Sequence, residues 1–384
     1  MLGTVLRFEL ASWLRRPLTW LFFAVFFLMA FFSTASDAVL NVGGRGQIHR
    51  NAPFVMATAM GLLTAIGQVI TTAVAGTAVL RDAQVGAQEL LFTTRVRKPD
   101  YLVGRFAGAF LVMAIIYAGM PLGLLAGSVM PWVPADALGP VRPWHVVQPF
   151  LTIALPNLLF VSALLFAVGA LSRKLFAVYI TGIVLLVTWQ ITGQIVGGLD
   201  RTTLAALADP FALNTVGVST RYWSVAEKNT LVVPFAGLVL QNRLLWGAVS
   251  LAIVAAVYAA FPMRLPGGGR ARARRDRPAE APAGAPARPP ALAAVAPRPR
   301  HDAAAHRTMF ARAARFHFRS IVREAPFLAI TFICLLNMIV SAWYSAHPRE
   351  SATWPVTSTL APLVGNVGML FLLIISTLYG GELV

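Results

Sequence analysis

Charged side chains are scarce in this sequence. Asp, Glu, Lys and Arg account for 12% of its 384 residues, whereas about 25% is usual in a soluble globular domain. Apolar residues make up 57% of the chain, and the mean hydropathy is +0.69. The composition therefore excludes an ordinary soluble protein and predicts an all-α integral membrane protein, since an apolar helix of about 20 residues can cross a bilayer.

Residues for covalent, metal or phosphate chemistry are also missing. The single cysteine, Cys334, can form no internal disulfide, and none of the six histidines has the spacing of a metal site. There is no nucleophile elbow and no Walker A motif, and the Gly-rich stretch at residues 265–270 does not match a phosphate-binding loop. We therefore predict that this chain is not an enzyme and binds no metal or cofactor of its own.

Long apolar runs without internal charge dominate the first 263 residues. A charge in the middle of a span usually marks an ion or proton pathway, so the lack of one argues against an ion-coupled secondary transporter. We interpret residues 17–263 as a six-helix permease bundle whose largest external loop is at residues 197–242. The predicted spans are residues 18–32, 54–80, 106–130, 147–171, 175–196 and 244–263.

Residues 1–16 precede the first span and have a helical pattern of their own. Leu6, Leu10 and Trp13 share one face at helical spacing, while Arg7 and Glu9 fall mostly elsewhere. This pattern predicts an amphipathic elbow helix that lies in the membrane interface. A cleaved secretory signal peptide is the alternative, but the leader is long, contains an acid and is followed by many more spans.

Basic residues concentrate in the segments that we place in the cytoplasm, which puts the N-terminus on that side. The net charge is +17, and residues 264–323 contain fourteen Arg against three acidic residues. Residues 264–307 are rich in Ala, Pro, Arg and Gly and are predicted to form a disordered cytosolic linker. We attribute the charge to membrane topology and to contact with anionic lipid rather than to nucleic acid.

The pattern of the N-terminus occurs again after the linker. Residues 315–318 (RFHF) resemble residues 7–10 (RFEL), and a proline then opens an apolar run in both places, at Pro17 and at Pro326. Residues 308–384 are therefore predicted to begin a second, repeated bundle, with spans at residues 327–344 and 357–379. We further expect the chain to be the N-terminal portion of a longer polypeptide, because this copy stops just before the loop that follows the second span.

That loop, residues 81–105, is the candidate functional site. It holds five basic and three acidic side chains, and residues 84–94 contain no proline and are able to form a short helix. Two interpretations stay open: a cytoplasmic docking site for a soluble partner, or a solvated loop that only fixes the topology.

Small and amide side chains mark the interior of the predicted bundle. Gly119, Gly123 and Gly127 recur every four residues in the third span, which predicts close approach of a neighbouring helix. The amides of the fourth and fifth spans either line a transport pathway or hydrogen-bond adjacent helices; they are Asn157, Gln190 and Gln194.

The candidate loop resembles that of the permeases of type 2 ATP-binding-cassette exporters, which have an acidic-Gly-x-x-Glu-Leu-Leu stretch after the second span. The corresponding residues here are Asp82, Gly86, Glu89, Leu90, Leu91, Phe92 and Thr93. Arg95 stands where the family often has proline. The resemblance implies an elbow helix, six spans per half and a separate ATPase subunit that docks at this loop and holds the ATP.

A bacterial subgroup of these permeases, in which two halves are fused to a zinc aminopeptidase-like domain, is similar over almost the whole first half. The similar stretches include residues 17–23 (PLTWLFF), 88–94 (QELLFTT) and 127–132 (GSVMPW). The similarity implies the bacterial inner membrane, a second permease half and a peptidase domain beyond Val384. The expected function is the permease of an ATP-driven transporter, and the alternative is a membrane anchor that presents a peptidase and moves nothing.

Overall fold

The protein is built from apolar helices. The computed structural model describes residues 2–36, 47–84, 91–94, 96–196, 202–263 and 303–346, and single residues at 361, 365, 368, 371, 372 and 375. This part of the chain forms helices and turns and contains no β-strand. Five helical stretches are long and apolar enough to cross a membrane: Pro17–Ala35, Pro53–Val74, Lys98–Gly127, Trp144–Ser172 and Gly237–Ala260. The chain is therefore a multi-pass membrane protein.

The helices vary widely in length, and short ones separate the long ones. In chain order they are α1 (Leu2–Leu14), α2 (Pro17–Ala35), α3 (Pro53–Val74), α4 (Leu80–Gln84), α5 (Lys98–Tyr117), α6 (Gly119–Gly127), α7 (Trp144–Pro149), α8 (Leu155–Ser172), α9 (Leu175–Val196), α10 (Thr202–Ala208), α11 (Leu213–Ser219), α12 (Val225–Thr230), α13 (Gly237–Ala260), α14 (Ala303–Arg323) and α15 (Ala325–Ala346). A turn of 3-10 helix lies at Ala135–Ala137, and a π-helical turn at Phe150–Ala154 connects α7 to α8.

Prolines determine where several helices begin and where the third span divides. Pro17, Pro53 and Pro99 occupy the first turn of α2, α3 and α5, where the missing N–H costs no helical hydrogen bond. Pro121 instead lies inside the stretch Lys98–Gly127 and cannot donate to the carbonyl of Tyr117. The stretch accordingly divides at Ala118 into α5 and α6.

Among the five candidate spans, α3 is the most buried. It contacts α2, α5, α6, α8 and α9, while α2 lies along α6, α1 packs on α5 and α13 packs on α8. In the core, Met60 and Met113 are fully buried, and the ring of Phe26 lies 4.7 Å from that of Tyr117. The bundle is thus held by apolar packing around α3.

The sixth span and the loop before it differ from their prediction. α13 begins at Gly237 rather than at residue 244, because Asn242 and Arg243 have partners inside the protein and are part of the helix. The predicted external loop contains α10, α11 and α12, and the first two of these pack against α13. Buried polar groups therefore extend the helical bundle beyond its apolar sequence.

The end of the predicted linker is also helical. Residues 303–307 belong to α14, since this Ala-rich stretch favours a helix. α14 and α15 form a pair bent by 61°, and α15 packs against α9. Residues 264–302 lie outside the described residues, as does most of the predicted span at 357–379. The six-helix bundle and the repeat stay predictions.

Candidate functional site

A buried carboxylate joins α1 to the candidate loop. Glu9 is fully buried, and its carboxylate accepts hydrogen bonds from the guanidinium groups of Arg81 and Arg105. The indole N–H of Trp13 donates to the same carboxylate at 2.9 Å. The helical pattern placed Glu9 mostly away from the apolar face of α1, yet Glu9 is buried, because two arginines from distant parts of the chain neutralise it inside the protein.

Arg105 extends these contacts to the start of the loop. It donates to one carboxylate oxygen of Asp82 at 2.6 Å, and the hydroxyl of Tyr101 donates to the other oxygen at 2.8 Å. We name this set the ion-pair cluster: Glu9, Trp13, Arg81, Asp82, Tyr101 and Arg105. Three segments that are distant in sequence, namely α1, α4 and α5, therefore meet in one buried polar site.

Two glycines on α5 allow α1 to lie this close. A Cβ atom at Gly104 would lie 2.9 Å from the side chain of Val5, and one at Gly108 would lie 2.7 Å from Cβ of Glu9. Both distances are shorter than ordinary van der Waals contact. Glycine at both positions therefore allows the close approach that brings the Glu9 carboxylate beside Arg105.

The charges of the ion-pair cluster balance, with two carboxylates and two guanidinium groups. Burial raises the pKa of the Asp82 carboxyl, and the Arg105 charge and the Tyr101 hydroxyl act in the opposite direction. Burial lowers the pKa of the Arg81 guanidinium, and Glu9 opposes this effect. Removing Arg105 would leave Asp82 without its ion-pair partner inside the protein, which is far more costly than losing a surface ion pair.

Residues before and after positions 85–90 of the candidate loop contact Tyr101, which lies in the first turns of α5. Asp82 accepts its hydroxyl hydrogen bond, while the ring of Phe92 meets its ring edge-to-face with centroids 5.7 Å apart. Leu91 and Phe92 are half-buried in the apolar cluster around Tyr101, and Thr93 is exposed. Gly86, Glu89 and Leu90, the other residues of the predicted docking motif, lie outside the described residues.

The glycines of the third span lie against the backbone of α2. A Cβ atom at Gly119 would lie 2.6 Å from the carbonyl oxygen of Phe23, and one at Gly123 would collide even more closely with the carbonyl of Phe27. Gly127 likewise lies against the carbonyl of Phe31. These three positions place α6 in direct contact with α2, as expected of a small-residue face.

The described amides hydrogen-bond between helices. Asn157 on α8 donates to the Thr64 hydroxyl at 2.8 Å and accepts from Arg243 at 2.6 Å. Gln190 on α9 accepts from the amide of Asn337 at 2.8 Å, and the side chain of Gln194 lies outside the described residues. Of the two interpretations of these amides, the contacts of Asn157 and Gln190 are those of helix packing.

A second polar site surrounds Asp209 and was not anticipated from the sequence. The Asp209 carboxylate accepts from the indole of Trp189 at 3.0 Å and from the backbone N–H groups of Phe211 and Asn214 at 2.9 and 2.7 Å. Burial raises its pKa, and the two backbone N–H groups lower it. The signal in the sequence was the stretch Asp209–Asn214 (DPFALN). An Asp at the start of a turn can accept hydrogen bonds from backbone N–H groups that follow it in the chain.

No protein-family model, curated protein or solved structure matches this chain. The resemblance to type 2 exporter permeases therefore rests on the motif residues alone. Within the residues that the structure describes, no group of His, Cys, Asp or Glu could hold a metal ion. The buried ion pairs of Arg81 and Arg105 connect the start of the candidate loop to α1 and α5. A force applied to the loop after α4 would therefore reach both helices.

Proposed function

We propose that this chain is the transmembrane permease of an ATP-binding-cassette transporter, which couples ATP hydrolysis on a separate subunit to substrate movement. The observation that carries the proposal is that residues before and after positions 85–90 of the candidate loop, Asp82 and Phe92, both contact Tyr101 on α5. A loop that only fixed the topology would need no such attachment. A loop that receives an ATPase would need one, because the load must reach the helices.

The contacts suggest a route for that load. Arg81 and Asp82 link the loop to Glu9 on α1 and to Arg105 on α5. The end of α5 continues into α6, which lies against α2. Because buried ion pairs separate only at a high cost, these helices would move together when the loop is displaced.

Topology and partners complete the proposal. The basic loops support an N-terminus in the cytoplasm of a bacterium, with the chain in the inner membrane. ATP would be held by the ATPase subunit, and a second permease half would come from the same longer chain or from another copy. The substrate would cross between the two halves.

The first test identifies the partner. The native full-length protein would be purified in mild detergent, and co-purifying proteins would be identified by mass spectrometry. We expect a Walker-type ATPase. Recovery of a longer chain with a peptidase domain and no ATPase would contradict the proposal and favour the alternative, a membrane anchor that moves nothing.

The second test measures coupling in the recovered complex. Asp82→Asn and the double substitution Glu89→Ala/Leu90→Ala should abolish most of the stimulation of ATP hydrolysis by the membrane subunit, while the basal hydrolysis of the ATPase persists. Asp136→Asn is the matched control, since Asp136 is an exposed acid in the 3-10 turn far along the chain. Unchanged stimulation in the loop variants would show that the loop has no coupling role.

A further inference from the structure

α14 carries a basic stripe along one side. Four of its five arginines, all except Arg307, follow one another at helical spacing, and the helix contains no acidic residue. Together with Phe316 and Ser320 the arginines line an open groove of about 630 Å³, which ends at Glu324 beside α15. We name these residues the basic stripe: Arg312, Arg315, Arg319 and Arg323.

Aromatic side chains occupy other faces of the same helix. Phe310 and Phe318 are 75% and 68% exposed. Within the described part of the chain, the main contact of α14 is with α15, so the protein itself leaves these rings largely uncovered. An amphipathic helix with this combination of basic and aromatic residues is typical of the membrane interface.

The orientation of α14 fits that location. α15 has an apolar stretch at Phe327–Ala342, and α14 is bent away from it by 61°. If α15 enters a bilayer, α14 therefore lies much closer to the membrane plane than to the normal. Its side chains are then at the depth of the lipid headgroups.

α14 differs from α1 in having no acidic residue, and Glu324, just after the helix, is the one acid among the described residues that line the groove. On α1, Glu9 faces α5 and pairs with Arg81 and Arg105 inside the protein. In the corresponding RFHF segment, His317 stands where Glu9 stands in α1. The charges of the basic stripe therefore have no acid on their own helix to balance them.

We propose that the basic stripe binds the phosphate groups of anionic phospholipids at the membrane surface. Guanidinium groups bind phosphate oxygens through paired, charge-assisted hydrogen bonds. Each Arg near a charged membrane surface strengthens binding by roughly fivefold. This lipid site is independent of the transport function proposed above.

The experiment uses the full chain with a fluorophore at Phe316→Cys in a Cys334→Ser background. The protein would be reconstituted into phosphatidylcholine vesicles that contain either brominated phosphatidylglycerol or brominated phosphatidylcholine as the quencher. We expect stronger quenching by the phosphatidylglycerol. Arg315→Gln/Arg319→Gln should lower that preference by roughly 30-fold, and added salt should weaken it.

The control removes the same charge elsewhere. Arg142→Gln/Arg221→Gln alters two exposed arginines and should leave the lipid preference unchanged. Equal quenching by both lipids would overturn the proposal, since α14 would then lie in the membrane without selecting anions. Absence of quenching would also overturn it, because the groove would face water or an acidic protein. Loss of the preference on adding inorganic phosphate would assign the groove to free phosphate instead.

Discussion

Arg105 holds two buried carboxylates at once. Its side chain is only 7% exposed and contacts both Glu9 and Asp82. Arg81 also contacts Glu9, but it is 23% exposed and therefore better screened by solvent. Among the four charges of the ion-pair cluster, Arg105 is thus the one whose removal would leave the most buried negative charge without a partner.

Replacing Arg105 by Gln should destabilise the protein in a pH-dependent manner. At neutral pH we expect a loss of about 3 kcal/mol, the usual cost of breaking a buried ion pair. Burial already raises the pKa of Asp82 above 3.8, and Arg105 opposes that rise. In the variant this pKa rises further, so the folded state binds its proton more tightly than the unfolded state does. The variant therefore loses stability as pH rises above 3.8 through the raised pKa of Asp82, and regains it on acidification.

Thermal unfolding in detergent at neutral and at mildly acidic pH would measure this effect as the difference in Tm between variant and parent. The difference should shrink in acid. Arg221→Gln serves as the control, because Arg221 is exposed and its neighbour is the ring of Tyr222. A difference of equal size at both pH values would show that Asp82 does not titrate as described.

Single residues show where sequence reasoning failed. The pattern of Leu6, Leu10 and Trp13 predicted the helix α1, but it placed Glu9 away from the apolar face and did not predict its burial. The partners of Glu9 are 72 and 96 residues away in the chain, and no local periodicity reports such contacts. Arg243 was placed outside the sixth span for the same reason. Hydropathy treats every Arg as exposed, but Arg243 is buried and donates a hydrogen bond to Asn157.

At the scale of elements, hydropathy located the long helices and missed their ends. The run at residues 54–80 became α3, yet the helix ends at Val74 and a turn leads to α4. Apolar composition indicates which residues are buried or face lipid. It does not indicate where the backbone hydrogen bonds of a helix end. The glycine spacing in the third span was more informative, because a side chain at those positions would collide with α2.

Replacing Gly123 by Ala should destabilise the contact between α6 and α2. The new methyl group would meet the carbonyl of Phe27, and a backbone atom cannot move aside as a flexible side chain can. Overpacking costs about 1–3 kcal/mol, which exceeds the gain of about 1 kcal/mol from replacing glycine in a helix. The Tm in detergent should therefore fall.

Gly247→Ala on α13 is the matched control. Nothing lies within 4 Å of a Cβ atom built at Gly247, so the same substitution should leave the Tm unchanged or raise it. A similar change in Tm for both variants would mean that helix propensity, and not the contact with α2, determines the effect.

At the scale of the whole molecule, the packing of α15 on α9 connects the segment after residue 302 to the preceding helices. Ile183 and Val187 on α9 and Ile330 on α15 are buried together, and the hydrogen bond between Asn337 and Gln190 lies in the same contact. Such a bond in a membrane contributes only about 0.6 kcal/mol. Apolar packing therefore supplies most of the association, and the amides define its register.

A chemical cross-link would establish whether this contact forms within one chain. Gln190→Cys and Asn337→Cys would be combined in a Cys334→Ser background, treated with a short bifunctional thiol reagent, and cut at a protease site inserted into residues 264–302. Because the two side chains are 2.8 Å apart, we expect the two fragments to stay joined at the mass of one chain. Gln190→Cys with Ile339→Cys is the control, since Ile339 is 67% exposed and should not react across the contact. Cross-linked species of twice the chain mass would instead place α15 against α9 of a second copy.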